Sequence, residues 1–226
     1  MSDERKPSDN AALMDLLGRV AHDLRGPAAI TTGVLDELQS RENAAADAAL
    51  FAMARRGLAG VLRIADRLEM VAQLEGGPLQ LDRSLLNASE LVLTASEDAK
   101  VIQKRKAITV TLDIPSGIKA NADRRWLSAA VAEIIANGIK HAKTSVKVVA
   151  TFEAGKLTIV THDDGRGFSD EAFAALSGPR FARSGARAGL GISLGLARDV
   201  AKAHGGDLRV VKSPDGGHVE LELSEK

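Results

Sequence analysis

The sequence predicts an α+β protein in two parts, an N-terminal antiparallel helical hairpin followed by an α/β sandwich. Through residues 10–74, apolar residues recur at steps of three and four, which is typical of amphipathic helices. Beyond Glu75-Gly76-Gly77-Pro78, helical segments alternate with segments in which every second residue is apolar, the spacing of half-covered strands. Because glycine and proline end the helical pattern there, residues 1–76 and 77–226 are predicted to be separate domains.

The hairpin is predicted to consist of two long helices, at about residues 10–39 and 43–74. The apolar stripe of the first helix is Leu13, Leu17, Val20, Leu24, Pro27, Thr31, Val34 and Leu38. Only a short polar segment at residues 41–43 connects the helices, so they are expected to be antiparallel neighbours. Because two helices cannot bury both stripes alone, we expect a symmetric dimer that forms a four-helix bundle.

His22 is predicted to lie on the first helix, on the face away from the apolar stripe. With Leu17 at heptad position a, His22 falls at position f, and Asp23 follows it directly. An exposed imidazole beside a carboxylate on a rigid helix suits a nucleophile that receives a group from another domain. A surface histidine without a function would give the same pattern. Pro27 lacks an N–H group and should kink the helix near His22.

The second domain is predicted to contain three helices and five strands. The helices are expected at about residues 84–105, 123–141 and 194–204, and the strands at 108–113, 145–152, 157–163, 207–212 and 218–223. Residues 153–156 (Glu-Ala-Gly-Lys) are predicted to form a hairpin turn. Helices that mostly cover one face of such strands make an α/β sandwich.

The helix predicted over residues 123–141 carries a polar set. Its buried face is expected to consist of Leu127, Ala130, Val131, Ile134 and Ile135. Glu133, Asn137 and Lys140 are spaced by four and three residues, so they share the opposite face. A carboxylate, a carboxamide and an ammonium group in line can hold Mg²⁺ and a polyphosphate, because Mg²⁺ prefers oxygen ligands. An ordinary solvated helix face is the alternative.

Two glycine-rich segments follow this helix. Asp163-Asp164-Gly165-Arg166-Gly167 ends a predicted strand, and Gly189-Leu190-Gly191 precedes the last helix. Glycine lets the backbone turn closely around a ligand, and the exposed N–H groups at the start of a helix favour an anion. A simple strand-to-loop turn explains Asp-Gly equally well.

The segments around His22, Asn137, Asp163 and Gly189, taken in this order, resemble the H, N, G1 and G2 boxes of bacterial sensor histidine kinases. The resemblance extends from about Leu13 to Leu223. It implies the Bergerat-type (GHKL) ATP-binding fold shared by histidine kinases, the Hsp90 chaperone and DNA gyrase. It also implies that His22 receives a phosphoryl group from ATP, with Asp23 and Glu133 in the catalytic set.

The same resemblance implies which residues bind ATP and Mg²⁺. Asn137 would be the Mg²⁺ ligand, Lys140 would contact phosphate, and Asp163 would accept a hydrogen bond from the adenine amino group. The other implied nucleotide contacts are His141, Gly165, Gly167, Arg183, Gly189 and Gly191. Arg183 lies in a segment that resembles a mobile lid, where Arg180 and Arg187 are equal candidates to meet the phosphates.

Three residues depart from the family pattern. Glu133 stands where most sensor kinases carry an asparagine, and Ser193 replaces the third glycine of the G2 box. Gly26 stands where kinases with strong phosphatase activity carry Thr or Asn, which argues against that activity here.

Composition limits the partners and the compartment. Lys+Arg and Asp+Glu both total 30, so neither nucleic acid nor an anionic membrane is a predicted partner. The sequence has no cysteine, no apolar run of membrane-spanning length and a polar N-terminus, so we expect a cytoplasmic protein. The expected partners are a response-regulator receiver domain, a second copy bound through the hairpin, and a separate sensor protein, because no sensor, transmembrane or receiver segment is recognised.

Two other functions fit the same sequence. A histidine phosphotransferase, a relay protein with a decayed ATP-binding domain, would share this short architecture. A pseudokinase scaffold would bind ATP without turnover. Asn137, Asp163 and the glycines of the two glycine-rich segments favour the kinase, because a relay protein does not need them.

Overall fold

The computed structural model of the chain describes residues 20, 23–24, 26–38, 47–51, 53–54, 57–58, 60–61, 64, 79–102, 107–170 and 193–224. The chain divides into two compact units, Met1–Glu75 and Gly76–Lys226. Four predicted site residues lie outside the described residues, namely His22, Arg183, Gly189 and Gly191. The predicted boundary segment at residues 75–78 lies outside them as well.

All described residues of the first unit are helical, and their burial follows the predicted stripe. Val20 and Val34 are buried, whereas Ile30 and Leu35 are each 48% exposed. The remaining described stripe residues, Leu24, Pro27, Thr31 and Leu38, are half-buried. The spacing of three and four residues therefore selects the covered face of this helical segment correctly.

Two glycines let the helical segments of the first unit approach closely beside Pro27. A side chain at Gly57 would overlap the Thr31 hydroxyl and lie 2.9 Å from the Pro27 carbonyl oxygen. At Gly60, a Cβ would lie 3.3 Å from the Pro27 ring. The connection at residues 39–46 is not described, so the antiparallel hairpin and the dimer stay predictions.

The second unit is a mixed α/β structure. Its elements are β1 (Arg83–Asn87), α1 (Ala88–Ile102), β2 (Thr109–Asp113), β3 (Lys119–Asp123), α2 (Arg124–His141), β4 (Ser145–Glu153), β5 (Lys156–Asp163), α3 (Ser193–Ala203), β6 (Asp207–Ser213) and β7 (Gly216–Ser224). A five-stranded sheet has the order β2-β4-β5-β7-β6, and β1 pairs with β3 in a separate two-stranded sheet. Only the β2–β4 pair of the five-stranded sheet is parallel.

The core of this unit lies between the five-stranded sheet and helices α2 and α3. Helix α2 packs against α1, α3 and strands β4 and β5, and α3 packs on β6 and β7. Along β5, buried residues alternate with half-buried ones, as the two-residue period predicts. The predicted α/β sandwich is therefore confirmed for this unit.

The hairpin turn between β4 and β5 is confirmed at the predicted place. Ala154 and Gly155 both have positive φ, at 50° and 75°. Two consecutive left-handed residues are typical of a turn whose twist matches that of the strands on either side. The turn sets the register in which Glu153 pairs with Lys156.

The predicted helix over residues 84–105 is wrong at its start. Residues Arg83–Asn87 form strand β1, which pairs antiparallel with β3, a strand that the sequence did not predict. Leu86 and Ala122 are buried in this small sheet. Tertiary burial of these side chains outweighs the weak strand preference of the two short segments.

Buried polar groups join the end of α3 to the start of α2. His204 is 1% exposed; its Nδ1 donates to the Val200 carbonyl at 2.8 Å, and its Nε2 accepts the Asp123 N–H at 3.0 Å. The Asp123 carboxylate caps α2 by accepting the N–H of Trp126 at 3.1 Å, and it also accepts the N–H of Asp82 at 2.8 Å. This arrangement requires a neutral imidazole, and burial lowers the pKa of His204 below its ordinary value.

We expect mild acid to destabilise this fold through His204. Because the folded-state pKa is lowered, the unfolded chain binds a proton below about pH 6.5 that the folded chain does not. The free energy of unfolding should therefore fall as the pH drops below that value, by at most about 1.4 kcal/mol per pH unit for one group.

Urea denaturation between pH 7.5 and 5 measures this slope. The variant His204→Asn carries no titrating ring and should lose most of the slope. His162→Gln changes a histidine on the face of β5 opposite the buried one and should keep the slope. An equally steep slope in the His204 variant would contradict the assignment.

Candidate functional site

Part of the predicted site, the N and G1 segments, meets where α2 and β5 end. A Cβ at Gly165 would lie 2.5 Å from the His141 carbonyl oxygen and 2.5 Å from Asp163 Oδ1. The segment after β5 therefore touches the last residue of α2, with no room for a side chain between them. This contact brings the predicted N and G1 segments together.

Asp163, at the end of β5, is held by backbone groups alone. It is 4% exposed, and its Oδ1 accepts the N–H of Gly165 at 2.8 Å and that of Gly217 at 3.3 Å. Among the described residues, no group donates to Oδ2. The carboxylate is thus fixed in orientation through one oxygen, and the other can accept a hydrogen bond from an amino group of a ligand.

Glycines at the start of β7 make this arrangement possible. A Cβ at Gly217 would overlap Asp163 Oδ2, and a Cβ at Gly216, where φ is 142°, would overlap the Asp163 carbonyl oxygen. The sequence alone predicts no role for this glycine pair. The available signal was two consecutive glycines opening a strand, which indicates a close backbone approach.

The next residue, Asp164, ties β5 to the loop between α2 and β4. Its Oδ1 accepts the N–H groups of Lys143, Thr144 and Ser145 at 2.8, 3.0 and 3.1 Å, and its Oδ2 accepts the Thr144 hydroxyl. These hydrogen bonds, the Thr144 hydroxyl above all, hold the pKa of Asp164 well below its usual range. Asp164 belongs to the predicted G1 segment, but the sequence alone predicts no role for it.

Helix α2 presents its polar residues differently from the prediction. The five residues predicted for its buried face are all fully buried. Asn137 is half-buried, and Lys140 and His141 are exposed. Glu133 was predicted to lie on the face opposite the buried one, and this prediction is wrong, since Glu133 is only 4% exposed. Helices α1 and α3 both pack against α2 and therefore cover more than one stripe of it.

The remaining predictions concern the first unit and the metal. Asp23 is helical and half-buried. Within the described ranges, no group of three or more His, Cys, Asp or Glu residues is placed to hold a metal ion. Asn137 is half-buried, and its carboxamide oxygen is a type of ligand that Mg²⁺ accepts beside phosphate and water. In the part of the chain that is described, no helix has the length and apolar character needed to cross a membrane.

Removing the charge of Asp164 should loosen the loop that leads from α2 into β4. In Asp164→Asn, an NH₂ group replaces an acceptor among donors, so N–H groups lose their partner. We expect a clear fall in the thermal midpoint, measured by circular dichroism. The matched variant Asp113→Asn removes an exposed ion pair with Lys147 and should change the midpoint little. Equal midpoints for the two variants would argue against the role given to Asp164.

Comparison with known proteins shows which family and which proteins the chain is similar to. Residues 122–226 match the family described as histidine kinase-, DNA gyrase B-, and HSP90-like ATPase. The sensor-like histidine kinase SenX3 of Mycobacterium tuberculosis (strain ATCC 25618 / H37Rv) is 30% identical over 220 residues, which are 92% of this chain and 52% of SenX3. The chain thus spans about half the length of this relative.

Solved structures agree at the level of the fold. The histidine kinase AdeS of Acinetobacter baumannii has a TM-score of 0.59 at 20% identity, over 90% of this chain and 97% of AdeS. Full-length ShkA in complex with AMPPNP has a TM-score of 0.63 at 17% identity, over 93% of this chain and 45% of ShkA. Residues 122–226 thus match the family of histidine kinase-, DNA gyrase B- and HSP90-like ATPases, and the chain as a whole is similar to sensor histidine kinases.

Proposed function

We propose that the chain is an ATP-dependent histidine kinase that phosphorylates His22 and passes the phosphoryl group to an aspartate of a response-regulator receiver domain. The single observation that carries the proposal is the Asp163 carboxylate, fixed by two backbone N–H groups beside the end of α2. It supports a nucleotide site, because the fold in which it lies is that of an ATPase family. A cytoplasmic location, consistent with the absence of cysteine, belongs to the proposal.

The base of ATP fits Asp163 chemically. A carboxylate oxygen accepts from the amino group of adenine, whereas the oxo group of guanine would leave it without a donor. The space at Oδ2 exists because residue 217 has no side chain. The related ShkA binds AMPPNP, an ATP analogue, which supports the same class of ligand here.

The phosphate end would be held by side chains of α2 and of segments outside the described residues. Lys140 is exposed at the last turn of α2 and supplies a positive charge. In the proposal, Asn137 holds Mg²⁺, which neutralises phosphate charge when bound. His141, Gly165 and Gly167 would adjoin the nucleotide. Arg183, Gly189 and Gly191 keep the phosphate-binding and backbone roles that the family resemblance implies.

The proposed reaction is a phosphoryl transfer to nitrogen. A lone pair on an imidazole nitrogen of His22 attacks the γ-phosphorus, and the bond from this phosphorus to the bridging oxygen breaks, so that ADP leaves with the electron pair. Asp23 hydrogen-bonds the N–H of the other ring nitrogen or takes its proton, which leaves a phosphoramidate. The proposal also includes Glu133 among the catalytic residues, as the family resemblance implies. Because Glu133 is buried, it would act from the interior of the second unit.

The first unit carries features that a dimer and a docking partner would use. Large apolar side chains are exposed on its helical segments, namely Phe51 (54%), Leu58 (52%), Ile30 (48%) and Leu35 (48%). A second chain that covered them would remove this apolar surface from water. We therefore include a homodimer through the helical unit, with a receiver domain and a separate sensor protein as further partners.

Incubation with Mg²⁺ and γ-labelled ATP tests the proposal directly. The purified chain should acquire a label that is stable in base and labile in acid, as expected for a phosphoramidate. The label should be absent from His22→Ala and should persist in His162→Gln, which removes a histidine of the sheet. Labelled protein should then lose its label to a receiver domain.

Two results would contradict the proposal. Absence of both label and ATP binding would indicate a phosphorelay protein. Tight ATP binding without any label would indicate a pseudokinase scaffold.

A further inference from the structure

Thr161, in the middle of the sheet, has a buried hydroxyl without a partner. It is 2% exposed and pairs across the sheet with Val148 and Val219, which offer no polar side-chain atom. Within the described residues, no hydrogen-bond partner is found for its Oγ1. Buried hydroxyls in native proteins are almost always satisfied, by protein, water or ligand, because an unmade hydrogen bond costs free energy. This position therefore calls for a polar atom that the described part of the chain does not supply.

The location of Thr161 points to the nucleotide site. Residues two apart in a strand face the same side, so Thr161 and Asp163 both lie on the buried side of β5. A Cβ at Gly138 would lie 2.9 Å from Thr161 Cγ2, so the threonine packs directly on the α2 backbone. Gly138 follows Asn137, the residue assigned to Mg²⁺ in the proposed function.

Adenine offers two different groups side by side on one edge, an amino donor and a ring-nitrogen acceptor, N1. Asp163 can serve only the donor, because a carboxylate only accepts. A threonine hydroxyl can donate, and it is the buried donor nearest along the strand. One bound water can extend its reach, since a buried water commonly bridges groups that are otherwise unsatisfied.

We propose that Thr161 is a specificity-determining residue of the adenine site, whose hydroxyl donates to N1 of the base, directly or through one water. This inference rests on the proposed function and deepens it. Together, Asp163 and Thr161 would read the donor–acceptor pair of adenine, which guanine presents in reverse order.

The test uses the full chain and compares ATP with 1-deaza-ATP, in which a C–H group replaces N1. Isothermal titration calorimetry should show that the wild type binds 1-deaza-ATP about five- to tenfold more weakly than ATP, the value of one hydrogen bond. Thr161→Val keeps the shape without the hydroxyl. It should bind the two nucleotides equally, with an ATP affinity about five- to tenfold below that of the wild type.

Three controls separate recognition from damage to the fold. Thr161→Val should unfold at the same or a higher urea concentration than the wild type, because it removes an unpaired buried hydroxyl. Thr161→Ser keeps the hydroxyl and should keep the discrimination. Thr158→Val, on the other face of the same strand, should leave both affinities unchanged.

The proposal is overturned if Thr161→Val discriminates between the two nucleotides as the wild type does, or if the wild type binds both equally. In either case ATP binding itself, and with it the proposed function, would stand. A wild-type chain that binds no ATP would contradict the proposed function and this inference together.

Discussion

The candidate site depends on how the Asp163 carboxylate is held. Both of its hydrogen-bond donors are backbone N–H groups, those of Gly165 and Gly217, and both reach the same oxygen. Backbone donors cannot rotate away as side chains can, so Oδ2 keeps one direction without a ligand to order it. A site that is ordered before binding loses little conformational entropy on binding. In the proposed kinase, this order gives the nucleotide a fixed anchor at its base.

Consecutive carboxylates at the end of β5 serve two different purposes. Asp163 accepts a hydrogen bond from the N–H of Gly217 at the start of β7. Asp164 accepts hydrogen bonds from the N–H groups that lead from α2 into β4. The first has an oxygen without a donor among the described residues, whereas both oxygens of the second accept hydrogen bonds, which hold its pKa well below the usual range. One aspartate thus supports the scaffold that positions the other. This arrangement also requires glycine at positions 165 and 217, because a side chain at either position would overlap the Asp163 carboxylate.

Much of the second unit could be predicted from the sequence, because its strands are covered on one face and show a clear two-residue period. The β1–β3 pair could not, since both strands are short and only the burial of Leu86 and Ala122 favours them. The burial of Glu133 depends on helices that cover α2 from both sides, which the pattern of one helix does not contain. Asp163 was found through its motif. The role of Thr161 depends on neighbours from other strands, so no local pattern reveals it. Two consecutive glycines at 216 and 217 indicate a close backbone approach, but they do not reveal that Asp163 is the partner.

In the proposed kinase, Asp163 anchors the nucleotide base through Oδ2. A crystal structure of the full chain with AMPPNP and Mg²⁺ is the decisive experiment. We expect the adenine amino group within hydrogen-bond distance of Asp163 Oδ2, with Oδ1 still bound to the N–H groups of Gly165 and Gly217. Nucleotide bound elsewhere, or an adenine whose amino group contacts other atoms while Oδ2 stays unused, would contradict it.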